Sequence, residues 1–265
     1  MSKGSRLALT PMRRTMVDLM HFAKQVPTVI CHYRMNLRPL IDARTHCPER
    51  LSWSSLFAKA FSLVALKHPE LRQTYLPYPR PCLYEHPHSI AAITIERRIG
   101  NEDFVLFGHF QEPETHGLAQ FNESIRGWKT DPLETIQNYQ LARLSRYFPP
   151  FLRRFVWNIL LNWVGTTRVN TFGTFCLTST ASAGAGMLQI LSILTSTLHY
   201  GMFQPDGTIE MRLTFDHRVY DGAFAARVLG EMENTLLTDT LREVEGLASS
   251  STHDDLPGDC SARAA

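Results

Sequence analysis

Residues 215–222 read Phe-Asp-His-Arg-Val-Tyr-Asp-Gly, and they stand where one periodicity gives way to another. Before them Ile209, Met211, Leu213 and Phe215 alternate with Glu210, Arg212 and Thr214, the pattern of a half-buried strand whose register is fixed by its apolar face. After them Ala225, Val228, Leu229, Met232 and Leu236 recur at helical spacing. A histidine at such a strand-to-helix junction is held by rigid elements yet can face a cleft, which is how a general base should be mounted. His217 is therefore the candidate base: imidazole titrates near neutrality, so it can take a proton from a thiol, hydroxyl or amine and return it to a leaving group. A glycine directly after Asp221 serves a backbone geometry barred to other residues, close packing at the turn, or simply a helix start.

Working outward, Thr10 can cap a helix and Pro11 suits its first position, with Met12, Met16, Leu19, Met20 and Ala23 marking one face. Val29, Cys31, Tyr33 and Met35 alternate as a strand. Trp53, Leu56, Phe57, Ala60, Phe61 and Val64 form the clearest helical stripe, which should end before Pro69. Residues 75–88, with Pro77, Pro79, Pro81 and Pro87, read as an extended connection. Strands are expected at 90–95 and 104–110, joined as a hairpin. Residues 114–145 read as helix in part, broken near Thr130-Asp131-Pro132. A strand is expected at 172–178 and another from His199, turning at Pro205-Asp206-Gly207 into the strand that delivers His217. After about residue 245 apolar content falls away, so residues 246–265 are expected to be disordered and 1–245 to form one domain. Strands and helices without a regular βαβ rhythm predict an α+β fold.

The octapeptide resembles the His-x-x-x-Asp-Gly signature of the chloramphenicol acetyltransferase-like superfamily, and more closely the phrase Asp-His-Arg-Val-x-Asp-Gly-Ala of the acyltransferase catalytic domain of 2-oxoacid dehydrogenase complexes, here residues 216–223. Four further segments resemble that family in order: Thr10 through Pro27, Leu51 through Leu71 with Pro69-Glu70-Leu71, Ser89 through Ile93, and Gly173 through Thr178. The resemblance spans roughly residues 8–240. It implies a mixed sheet flanked by helices, assembly as homotrimers with active sites between subunits, and direct acyl transfer from acyl-coenzyme A as cosubstrate, with no tightly bound cofactor. It also implies roles for single residues. Thr178 takes the place of the family serine whose hydroxyl donates to the oxyanion. Asp221 becomes a buried structural aspartate paired with an arginine of the opening helix, Arg13 or its neighbour Arg14. Cys176, two residues before Thr178 on the same face, reads as a core cysteine rather than a nucleophile. His109 and His199 read as structural.

Three departures stand out. The catalytic region starts within about a dozen residues of Met1, so no lipoyl domain is expected ahead of it. The family's Asn-Pro-Pro motif is replaced by Leu194-Thr195-Ser196-Thr197, and the Arg- and Trp-rich stretch 146–168 looks inserted. They favour a stand-alone, coenzyme A-dependent enzyme with a small acceptor. The alternatives are a complex component that acylates a lipoyl domain supplied in trans, and a non-catalytic scaffold of the same fold. The sequence specifies neither acyl length nor acceptor.

Composition narrows the remaining classes. The 44% hydrophobic and 20% charged fractions are ordinary for a globular protein. A formal net charge of +2 gives no electrostatic reason for a nucleic-acid partner. Cys31, Cys47, Cys82, Cys176 and Cys260 show neither metal-ligand spacing nor a disulfide framework, and with no secretory leader visible the expected compartment is the cytoplasm. The apolar run 155–164 carries Asn158 and Asn162 and is too short to span a bilayer. A buried helix or subunit contact is its favoured reading, a helix lying on a membrane surface the alternative.

Overall fold

The computed structural model of the chain describes residues 4–99, 102–145 and 147–253. The octapeptide strand (Thr208–Asp216, β8) is the second of a six-stranded mixed sheet with strand order β1-β8-β7-β6-β4-β5. Its partners are β1 (Thr28–Asn36), β4 (Ile90–Ile99), β5 (Glu102–Gln111), β6 (Phe175–Ser179) and β7 (Ser196–Tyr200). β1, β8 and β7 run antiparallel in turn, β7, β6 and β4 are parallel, and β4–β5 is an antiparallel hairpin. This is the α+β sheet that the unpunctuated strand order predicts. Gly207 turns β7 into β8 at φ +86°, where a Cβ would also lie 2.9 Å from that of Arg38.

The alternation in β8 does what it should. Ile209, Met211, Leu213 and Phe215 are all fully buried on one face, and β1 delivers Met35 beside them. Helices α3 (Trp53–Lys67), α4 (Leu118–Thr130) and α8 (Gly222–Thr235) cover that face. Ser52 caps α3, its hydroxyl accepting from the Ser55 N–H at 3.1 Å, and Leu56, Phe57, Ala60 and Phe61 are fully buried beneath it. At about 1.5–3 kcal/mol per large apolar side chain, this layer dominates the fold's stability.

The opposite face is covered by the opening helix α1 (Pro11–Ala23), with α5 (Gln137–Ser145), α6 (Pro150–Asn162) and α7 (Gly165–Phe172). Thr10 caps α1 by accepting from the Arg13 N–H at 3.3 Å. The Arg- and Trp-rich stretch is helical over α6 and the start of α7, and α6 buries Arg153, Trp157 and Leu161 while exposing Phe151 and Phe155. Arg153 Nε donates to Asp18 Oδ2 at 2.7 Å, with Asp18 1% and Arg153 8% exposed, and Arg154 stands 3.5 Å from the same carboxylate.

The structure corrects several sequence expectations. Residues 75–88 are not merely extended: β2 (Gln73–Leu76) and β3 (Cys82–Glu85) pair as an antiparallel hairpin. The strand placed from His199 begins at Ser196, and the one placed from residue 172 begins at Phe175 because α7 runs to Phe172. A further helix, α2 (Arg38–His46), follows β1. Residues 246–253, expected to be disordered, continue α9 (Leu241–His253). Val244 is fully buried, with Leu241 and Leu247 packed beside it, and Glu243 binds both Lys59 Nζ at 3.3 Å and the Leu118 N–H at 2.6 Å. A carboxylate at the start of α4 also suits that helix's dipole. Residues 254–265, including Cys260, lie outside the described residues. No helix among the described residues is long and apolar enough to cross a membrane.

Removing one partner of a buried ion pair strands the other. Asp18→Ala should therefore lower stability by about 3–5 kcal/mol, read from urea denaturation, and should loosen α6 before the α3 face.

Candidate active site

β8 ends at a carboxylate. Asp216, 1% exposed, accepts the Arg218 N–H at 3.0 Å, closing a local turn of the kind aspartates favour. The Arg218 side chain returns to the same group, Nε to Oδ1 at 2.9 Å and Nη2 to Oδ2 at 2.7 Å. This is the fork geometry only arginine supplies. The guanidinium also lies 4.4 Å over the ring of Tyr75. Behind it Arg168 is 4% exposed; burial pushes its pKa down to about 10, against the pull of Asp216. Arg168 spends its donors on the carbonyls of Leu161, at 2.7 Å, and of Ile193.

The turn is held at its other end as well. Tyr220 stacks on Phe215 with centroids 4.9 Å apart, and its hydroxyl bonds Ser196 Oγ at 2.8 Å. The His217 N–H donates to the Pro27 carbonyl at 3.1 Å. Between these anchors the imidazole of His217 projects outward, about half exposed, with Nδ1 3.3 Å from Asp221 Oδ1. A carboxylate facing Nδ1 favours the tautomer with its proton there and leaves Nε2 free to accept one.

Asp221 is not the buried brace the resemblance implies. It is 82% exposed and sits at the N-cap of α8 without accepting a helix N–H. Arg13 instead binds Glu102, Nη2 to Oε1 at 2.9 Å, and Arg14 Nε donates to the Leu9 carbonyl. The reason is topological. Glu102 opens edge strand β5, four strand spacings from β8, which is roughly 19 Å. Gly222 has no positive φ, and a Cβ there would meet nothing within 4 Å, so within the protomer it is a helix-start glycine.

Thr178 lies near the end of β6, on the face that carries α1. It lines a cavity of about 250 Å³ whose walls are mostly apolar and include Phe107, His109 and Cys176. Burial pushes the Cys176 thiol up to about 12, so it stays protonated, as a core cysteine should. Thr178 and His217 are not brought together within the protomer. Thr178 pairs with His199 and His199 with Arg212, five residues short of His217 and two strands away. That is roughly 19 Å between Cα positions.

The residue that stands beside Thr178 is His199, fully buried on the neighbouring strand. Its Nε2 lies 3.3 Å from Thr180 Oγ1, and its Nδ1 is buried without a hydrogen-bond partner among the described residues. The sequence places it in a strand that could line a pocket, but no motif there distinguishes it from a structural histidine. A second polar cavity of about 260 Å³ opens beneath the His217 turn, lined by Arg168, Arg218, Asn158 and Asn162. Among the described residues no cluster suits a metal ion.

Residues 2–95 match the family model for the 2-oxoacid dehydrogenases acyltransferase (catalytic domain). The matched segment stops before β6, so it includes neither Thr178 nor the octapeptide. Solved structures extend the likeness over the fold. A probable dihydrolipoamide acetyltransferase from Listeria monocytogenes is 16% identical with a TM-score of 0.60, covering 88% of this chain and 94% of that one. The dihydrolipoamide acetyltransferase of Azotobacter vinelandii is 14% identical with a TM-score of 0.64 over 91% of this chain and 94% of its own. A truncated catalytic core of a 2-oxoacid dehydrogenase complex from Thermoplasma acidophilum gives 14%, 0.63, 89% and 99%. No curated protein sequence matches. The chain therefore has the fold of dihydrolipoamide acyltransferase cores, as the octapeptide and its companion segments suggest.

Burial pushes both His109 and His199 below the usual imidazole range, with the Arg212 charge adding to the effect at His199. Below the ordinary value of about 6.5 the unfolded chain binds protons that the folded chain refuses, so stability falls as pH falls. Urea midpoints should drop between pH 7.5 and 5.5, and His199→Gln should flatten that slope.

Proposed function

We propose that this protein is a coenzyme A-dependent acyltransferase in which His217 is the general base, working in the cytoplasm. The observation that carries the reading is the mounting of His217: an exposed ring on a turn anchored at both ends, with Nδ1 against a carboxylate and Nε2 free. The fold supports it, and so does one neighbour. A serine, a histidine and an asparagine four residues beyond that histidine are named in the catalytic mechanism of the Azotobacter enzyme. Here a histidine and an aspartate share that spacing, and Thr178 keeps a hydroxyl on the strand where the family serine is expected.

The chemistry follows from these groups. His217 Nε2 takes the proton from an acceptor hydroxyl, amine or thiol as its heteroatom attacks the thioester carbonyl. The carbonyl oxygen becomes an oxyanion, to which the Thr178 hydroxyl donates. Collapse expels the coenzyme A thiolate, which receives the proton back from the imidazolium, leaving acylated acceptor and free thiol. Asp221 holds the ring's tautomer. An exposed pair adds little to stability, so its effect belongs to the rate.

The separation of Thr178 from His217 makes assembly part of the mechanism. A homotrimer in which one protomer's His217 meets the next protomer's Thr178 completes the site; a lone protomer does not. The free thiols of Cys31, Cys47, Cys82 and Cys176 fit a reducing compartment. The second reading, transfer to a lipoyl domain supplied by another protein, is favoured by the likeness to lipoamide acetyltransferases. A comparison of dihydrolipoamide with small amines and alcohols as acceptors separates the two.

His217→Ala should lower transfer by about 10²–10⁴-fold with the circular dichroism unchanged. Thr178→Ala should cost about 10²–10³ in kcat. Co-expression of the two variants should restore measurable activity, because mixed oligomers contain interfaces with both groups intact. Undiminished turnover by His217→Ala would remove the base, and a failure of co-expression to restore activity would place both groups in one protomer's site.

A further inference from the structure

The apolar cavity beside Thr178 is larger than an acetyl group needs. Its volume is about 250 Å³, and polar atoms contribute little to its walls. Met16, Leu19 and Met20 of α1 close one side, Phe172 of α7 and Trp157 of α6 another, and Leu194 a third. Trp157 comes from the stretch 146–168 that departs from the family pattern, and Leu194 and Thr197 from the one that replaces the Asn-Pro-Pro motif. Trp157 sits one helical turn beyond Arg153, and Arg153 is clamped to Asp18 on α1, so the two helices that make the cavity are tied to each other.

The wall chemistry selects the occupant. The titratable groups in it are His109, held uncharged by burial, and the Cys176 thiol, which stays protonated. No carboxylate, lysine or arginine lines it. A charged or strongly hydrated ligand would lose its water here without compensation. Methionine side chains along α1 suit a flexible apolar chain, because unbranched thioethers adapt to irregular shapes. Thr178 in the same wall supplies the polar end.

We propose that this cavity binds the hydrocarbon tail of the transferred acyl group, so that the donor is a medium-chain acyl thioester rather than acetyl-coenzyme A. This deepens the acyltransferase reading and rests on Thr178 as the oxyanion donor. The length follows from volume. A dry apolar cavity of about 150 Å³ accepts benzene, so 250 Å³ accommodates about ten carbons. In the assembled trimer each protomer holds the tail and the oxyanion, and its neighbour brings the base.

Calorimetry with acetyl-, hexanoyl-, decanoyl- and hexadecanoyl-coenzyme A on the full chain tests this. Affinity should rise by about fourfold per methylene up to roughly ten carbons and then stop rising. Met16→Trp, which fills the cavity, should move the optimum to shorter chains. Phe107→Ala, which enlarges it, should move the optimum to longer ones and decides the matter if Met16→Trp does not fold. Equal affinity for acetyl and decanoyl donors, with acetyl transfer intact, overturns the tail pocket and leaves the acyltransferase standing. A normal chain-length slope with no transfer to any acceptor does the reverse.

Discussion

A buried carboxylate at the end of β8 sets the terms for everything around it. Asp216 is out of water, and a charge in that position must be paired and hydrogen-bonded or it destabilises the fold. The chain meets the demand within two residues: Arg218 supplies a backbone N–H and a bidentate guanidinium. To do so the backbone must turn sharply, and the residue at the apex of that turn is His217. The exposed imidazole is thus a by-product of satisfying a buried anion. Arg218 in turn lies over Tyr75 of the β2–β3 hairpin, and Arg168 of α7 stands behind it. Three separate parts of the chain converge on one carboxylate, and the ring between them has little freedom to wander.

That convergence explains what could be read in the sequence and what could not. The alternation of β8 and the stripe of α8 are local patterns, so the junction and its histidine were visible from residues 208–236, while the fold class needed the order of elements along the whole chain. The helices α1 and α3 were legible for the same reason, each with a cap residue and an apolar face. What escaped was pairing between distant residues. Nothing in the string joins Asp18 to Arg153, 135 positions apart, or Lys59 to Glu243. The second pair and the packing of Leu241, Val244 and Leu247 hold the start of α9 against the core, and the polar residues beyond it give no local sign that the helix goes on. The Asp216–Arg218 turn could have been found: an aspartate two residues before an arginine at the end of an alternating strand is a local signal.

The failed Arg13–Asp221 pairing has a different lesson. A motif shared with a family carries its spacing, but an ion pair needs two elements to meet in space, and here four strand spacings separate them. Arg13 finds Glu102 on the near edge instead, and Asp221, left in water, turns to its i−4 neighbour His217. The change matters chemically. An aspartate braced by an arginine would be a structural post, whereas one facing Nδ1 is placed where the proposed mechanism needs it.

Separation of function across the sheet makes the rest coherent. The face under α3 and α8 is mostly hydrocarbon and supplies stability. The face under α1, α6 and α7 is interrupted by threonines, histidines and a cavity, a costly arrangement for a core. A cavity next to Thr178, between helices clamped by the Asp18–Arg153 pair, is the physical reason to look to this face for the acyl group. His217, at the far end of β8, lies outside that cavity, which is why the proposed site calls for a second protomer.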